Sequence, residues 1–229
     1  MKLLIRLIFS LLAIAMLQPE ALAQAHYNGK FSIGAHGGVT MSNVAFTPST
    51  KESMLMGQMA GIQVKYWEER NFGLIAELNL VQSGWKENFE DAPFEFERKL
   101  NYLRLPIMTN IFFENKHISG FVNLGPEIGY LVSTSSSANF DVNNTASVPG
   151  FPPNRETDQL RLEPSNRFDY GITAGAGVEL IIKRRHRISL EGRYYFGIGN
   201  IFPDDRKDTF SASRNSSIMI MLGYSFRIK

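Results

Sequence analysis

Nine ionisable residues share one phase of an alternating pattern that runs along most of the chain: Lys65, Glu77, Arg104, Glu127, Asp169, Glu179, Glu191, Arg193 and Arg227. Three chemistries suit such a set. The acids and bases can pair as a structural ion-pair cluster, which they must do if they are withdrawn from water. They can form a proton or ion path, or a gate that opens by re-pairing. Two of the carboxylates, Glu127 and Glu191, can be imagined as a general acid and base. Nothing in the spacing brings those two within reach of each other or of a substrate, so no catalytic residue is assigned. The four histidines, His26, His36, His117 and His186, form no pair at metal-ligand spacing. Cys 0 excludes a disulfide scaffold, a thiolate metal site and a cysteine nucleophile. No metal and no cofactor is expected.

Strands must carry these residues. From Phe168 to Ile182, one phase reads Phe168, Tyr170, Ile172, Ala174, Ala176, Val178, Leu180 and Ile182. The other contains Asp169, Thr173 and Glu179 among glycines. Period-two alternation of this length describes a long strand with two unlike faces. It recurs in segments beginning near Phe31, Ala60, Phe72, Leu103, Ile118, Ile188 and Ile218, which predicts eight strands. The apolar phases carry no charge, and the charges gather on the opposite phases.

Two architectures fit: a water-soluble barrel with the grease inside, and a membrane barrel with the grease against lipid. The polar phase also carries Gly34, Gly38, Gly61, Gly125, Gly171 and Gly177. Small residues belong where space is short, inside a narrow cylinder, and would only weaken a water-facing surface. The connections agree. Trp67–Asn71, Glu114–His117 and Lys183–Arg187 are short, whereas 41–56, 84–99, 133–165 and 200–216 are long. Short and long alternate strictly, as in outer-membrane barrels with short periplasmic turns and long extracellular loops. Aromatics near strand ends would form interfacial girdles: Tyr66, Trp67, Phe72, Phe112 and Phe113 at one rim, and Trp85, Tyr130 and Phe168 at the other. The predicted fold is all-β, an eight-stranded antiparallel up-and-down transmembrane barrel with a polar, filled interior.

The 229-residue chain, with formal charge +2, gives no reason to expect nucleic-acid binding. Lys2 and Arg6 precede an apolar run from Leu7 to Leu17, and Ala21-Leu22-Ala23 follows. That run is shorter than the roughly 20 residues of a membrane helix and has the three parts of a secretory signal. Residues 1–23 are therefore expected to be a cleaved signal peptide, 24–30 a short periplasmic N-terminus and 31–229 the barrel. Three surface segments remain. Residues 133–165 read equally as a mobile loop and as a binding surface. The acidic run Glu87, Glu90, Asp91, Glu95 and Glu97 reads as solvated, while the interleaved Phe89, Phe94 and Phe96 point to some protein contact. Lys183-Arg184-Arg185-His186-Arg187 reads as a turn facing lipid head groups.

Tyr102–Ile107, Gly125–Tyr130, Asp169–Glu179, Glu191–Asn200 and the closing Leu222–Phe226 together resemble the PorT-like outer-membrane β-barrel family of Bacteroidetes. The resemblance implies an outer-membrane location. It also implies association with the type IX secretion system, in which that family's namesake acts. In contrast to outer-membrane proteins that end on Phe, Phe226 is here followed by Arg227-Ile228-Lys229. The expected function is a non-enzymatic scaffold or accessory factor, with a small-solute or ion channel and an outer-membrane enzyme as the alternatives. Its expected partners are outer-membrane lipids and another envelope or secretion protein, and the chain is expected to be monomeric.

Overall fold

Long runs of alternating side chains, interrupted by neither helix-length apolar segments nor cysteine, leave the backbone one way to satisfy its hydrogen bonds in hydrocarbon, a closed barrel. The computed structural model describes residues 29–67, 70–89, 92–152, 157–203 and 209–228. Eight strands follow in chain order: β1 (Lys30–Thr47), β2 (Glu52–Trp67), β3 (Phe72–Glu87), β4 (Phe96–Glu114), β5 (Ile118–Ala138), β6 (Phe168–Ile182), β7 (His186–Asn200) and β8 (Ala212–Arg227). Each pairs antiparallel with the next, and β8 pairs with β1 to close the cylinder. Between β5 and β6 lie a single 3₁₀ turn, Thr145–Ser147, and a short helix α1, Asp158–Arg161. The expected signal segment 1–23, His26, Glu90, Asp91 and Lys229 lie outside the described residues.

The faces are inverted relative to a soluble protein. Leu74, Leu124, Ile220 and Leu222 are about half exposed and belong to an apolar belt that encircles the molecule. The charged residues are inside: Lys65, Glu77, Arg104, Glu127, Asp169, Glu179, Glu191 and Arg193 are all buried. A continuous apolar surface of this extent requires lipid. The inward glycines make the narrow interior possible. A Cβ at Gly38 would sit on the carbonyl of Ile220, and one at Gly125 on that of Ile107, whereas Gly120 and Gly192 on the outer face have nothing within 4 Å.

The strands run farther than the sequence indicates. They are 15 to 21 residues long, and a tilted strand of that length rises about 40–50 Å, well beyond an apolar band of about 25 Å. The expected long connections therefore shrink to 48–51, 88–95, 139–167 and 201–211. The physical reason is a change of phase. Above the bilayer, water replaces lipid outside the barrel, so the inward phase becomes the apolar one: Val44 and Phe46 on β1, Trp85 on β3, and Phe96, Leu100 and Tyr102 on β4 are buried. Lys86, Glu97 and Lys99 instead point outward and pair with one another (Lys86 to Glu97 at 3.4 Å, Lys99 to Glu97 at 3.0 Å). The molecule has two storeys, a polar core where the surroundings are greasy and an apolar core where they are aqueous.

The girdles need correction. Tyr66, Phe72 and Phe113 at the short-turn rim face outward, as do Tyr130 and Phe168 at the other, their rings 5.2 Å apart. Trp67, Phe112 and Trp85 face inward and are fully buried. Neighbours on a strand point to opposite faces, so within Tyr66-Trp67 and within Phe112-Phe113 only one ring can meet lipid.

The short turns are tightly built. Asn115 Oδ1 accepts the N–H groups of His117 and Ile118, each at 2.9 Å. Lys183 (φ 50°) and Arg184 (φ 61°) adopt the left-handed pair of a tight hairpin turn. The first and last strands meet at this same end, where the Ile228 N–H donates to the Phe31 carbonyl at 2.8 Å.

Candidate functional site

Period-two placement puts every inward side chain of the lower storey into one cylinder, and an eight-stranded cylinder is just wide enough for those side chains to fill it. The nine expected residues are brought together there in three tiers.

In the middle tier the Arg193 guanidinium of β7 reaches across the lumen to Glu77 of β3, the strand diametrically opposite. It makes two parallel bonds of 2.6 and 2.9 Å. Its Nε donates to Glu191 at 2.8 Å. Asn79 Nδ2 donates to Glu77 at 2.9 Å, and His36 lies 2.9 Å from Asn79 Oδ1 and 3.7 Å from Glu77. Asn123 donates to Glu191 at 3.1 Å and accepts from Asn110 at 2.6 Å. This chain of bonds joins β1, β3, β4, β5 and β7.

Toward the long-loop end, Arg104 bonds Glu127 at 3.0 Å and lies 3.6 Å from Asp169. Its guanidinium packs over the Tyr195 ring, 4.0 Å from the centroid. Asn215 of β8 donates to Asp169 at 2.9 Å and to the hydroxyl of Tyr102, on the facing strand β4, at 3.1 Å. Glu127 and Glu191 thus serve different arginines in different tiers, and the pairing imagined for acid–base chemistry does not occur.

The tier at the short-turn end holds Lys65, Glu179 and Arg227 together with two residues that the sequence reading placed in turns. Arg187 is buried and bonds Glu179 at 2.7 Å and Glu114 at 2.6 Å. It turns into the lumen, whereas Lys183, Arg184 and Arg185 of the same basic turn are exposed. Lys65 lies 3.6 Å from Glu179 and 4.8 Å from the centroid of the Phe112 ring. Arg227 lies 3.9 Å from Glu114 and packs over Trp67 at 4.9 Å. Simple parity would have found the missed pair, since Arg187 directly precedes outward Ile188 and Glu114 directly follows outward Phe113.

The upper storey closes the other end. Phe46, Trp85, Phe202 and Phe210 form an aromatic cluster, with centroids 4.9 to 6.2 Å apart. Leu160 of α1 inserts into the same apolar core. Arg98, which the sequence reading placed in a loop, is buried and donates to the carbonyls of Leu160, at 2.9 Å, and Leu162, holding α1 over the mouth. Gln159 donates to Glu87 at 3.2 Å. The interleaved aromatics Phe89 and Phe94 make the protein contact expected of them, packing against Phe140 and Phe151 of the β5–β6 connection. The two loops therefore bury each other's rings.

Solved structures of other proteins resemble the barrel. The crystal structure of the outer membrane protein OprG from Pseudomonas aeruginosa superposes with a TM-score of 0.51 at 12% identity, covering 90% of this chain and 98% of that one. Ail of Yersinia pestis, solved with the heparin analogue sucrose octasulfate, matches at 0.42 and 15% identity over 86% of this chain and 99% of its own. Neisserial surface protein A matches at 0.43 and 11% identity over 84% and 95%. The likeness to OprG, at 12% identity, shows a shared fold alone, and no curated protein matches the sequence. A family model, the outer membrane protein beta-barrel domain, matches residues 20–203. With the closed eight-stranded cylinder and its apolar belt, that match places the chain in the outer membrane protein beta-barrel domain family.

Proposed function

We propose that the protein is a non-enzymatic, monomeric scaffold or accessory factor of the outer membrane, whose lumen is a structural plug and whose exposed ends contact another envelope component. In this reading residues 1–23 direct export, the short turns face the periplasm and the long connections face outward. The observation that carries it is the diametric bond between Arg193 and Glu77. Together with Arg104–Glu127 above and Arg187–Glu179 below, it fills the axis along which a solute would pass. The resemblance to PorT-like barrels of Bacteroidetes supports a secretion-associated version, in which the contacted component belongs to a type IX export machine.

Planar-bilayer recording tests the plug. The wild-type protein should show no sustained conductance. Arg104→Ala strands the carboxylates of Glu127 and Asp169, so its thermal midpoint in detergent should fall while conductance stays near baseline. Steady conductance in either protein would replace the scaffold with a transport barrel. The partner is tested by stoichiometric co-purification from solubilised membranes. The secretion version is tested by cargo export in a deletion strain, where normal export removes it.

A further inference from the structure

The short-turn mouth holds more positive charge than the plug needs. Lys65, Arg187 and Arg227 face only Glu114 and Glu179 in that tier, which leaves one cation in excess among the described residues. The excess shows in the bonding. Nε and Nη2 of Arg227 are buried and make no hydrogen bond, and Nε of fully buried Arg187 is likewise without an acceptor. A cavity of about 390 Å³ opens beside them, walled by Arg187, Arg227, Glu114, Lys116, Lys183 and Arg184. No ion pair engages Lys116, Lys183 or Arg184 among the described residues. A buried cation without a counter-charge is costly. A guanidinium presents a planar fork of donors that matches a tetrahedral oxyanion, and cations on the rim of a concave site raise the local concentration of anions.

We propose that this mouth is a binding site for a phosphate-type oxyanion, borne by a small phosphorylated solute or by a lipid head group. Arg227 and Arg187 grip the anion from the lumen side. Lys116, Lys183 and Arg184 neutralise its remaining charge at the rim. The site is separate from the scaffold role and rests only on this end being open to water. It also explains why a basic turn is attached to an already cationic tier.

The test is calorimetric titration of the full-length protein, purified in a phosphate-free maltoside detergent, with inorganic phosphate at constant ionic strength. A parallel arm compares thermal midpoints in nanodiscs of phosphatidylcholine alone and with phosphatidylglycerol. Saturable 1:1 binding of phosphate, weakened at least tenfold in Arg227→Gln and unchanged in Lys86→Gln at the opposite end, supports the site with a soluble ligand. Absence of phosphate binding, with a phosphatidylglycerol-dependent rise in midpoint that Arg227→Gln abolishes, supports it with a lipid head group. If Arg227→Gln does not fold, Lys183→Asn combined with Arg184→Gly removes two rim charges while retaining residues suited to the left-handed turn, and the same weakening is expected. Neither ligand acting on the wild type, or variants that respond as the wild type does, overturns the proposal.

Discussion

Arg193→Ala should lower the unfolding free energy by about 3–5 kcal/mol, the loss typical of breaking a buried ion pair from one side. The magnitude follows from what stays behind. Glu77 and Glu191 are both buried and both bonded to this one guanidinium, so its removal leaves two carboxylates in a low-dielectric lumen with amide donors from Asn79 and Asn123 and, for Glu77, the His36 ring at 3.7 Å. It also severs the ion-pair bond that ties β7 to β3 across the cylinder. Urea titration of the reconstituted protein, read from the mobility difference between folded and unfolded bands, measures the loss. The triple replacement Arg193→Met, Glu77→Leu, Glu191→Met should recover most of it, because apolar groups of similar volume can replace a buried charge network at little net cost. A loss below about 1 kcal/mol in Arg193→Ala, the range of an exposed pair, would mean that water reaches the tier and that the lumen is not plugged there.

Leu124→Arg should cost about 2–4 kcal/mol in a bilayer, whereas Val132→Arg, farther along the same outward phase of β5, should cost about 0–1 kcal/mol. Leu124 lies near the middle of the lipid face, paired with Thr109 on one side and Ala174 on the other. Val132 lies past Tyr130, whose contact with Phe168 marks the upper rim of the belt. Both residues are 55% exposed, so exposure alone predicts equal effects, and only depth in hydrocarbon separates them. Equilibrium unfolding in vesicles measures both. Equal costs would place the upper rim of the apolar belt somewhere other than Tyr130 and Phe168.

The lower storey was legible because one rule governs it. Lipid forbids charge on one phase and the narrow lumen demands small or paired residues on the other, so alternation alone assigned Lys65, Glu77, Arg104, Glu127, Asp169, Glu179, Glu191, Arg193 and Arg227 to a common interior. Two things were hidden. The first was where strands end. Choosing each phase by its greasiness fails where lipid gives way to water, since there Val44, Phe46, Trp85 and Leu100 carry the grease inward. The strands then look finished although their backbone pairing continues. The second was who meets whom. Glu77 and Arg193 are separated by 116 residues, and their contact depends on strand count and stagger acting together. No local pattern reports that. The oxyanion site was hidden for a related reason. Lys183-Arg184 looks like a surface turn until closure sets it beside Arg187, Arg227 and Glu114.

The central claim is that the even-numbered face of β6 meets lipid while the odd-numbered face lines a filled lumen. The chain has no cysteine, so single-cysteine spin labels can be placed at the outward positions from Tyr170 to Leu180 without background. Power saturation in liposomes should show oxygen accessibility exceeding that of a water-soluble nickel chelate at Ile172, Ala174, Ala176 and Val178, with the contrast greatest near Ala174 and falling toward both ends. Greater accessibility to the nickel chelate at those central positions would mean that this face is bathed in water, contradicting the account.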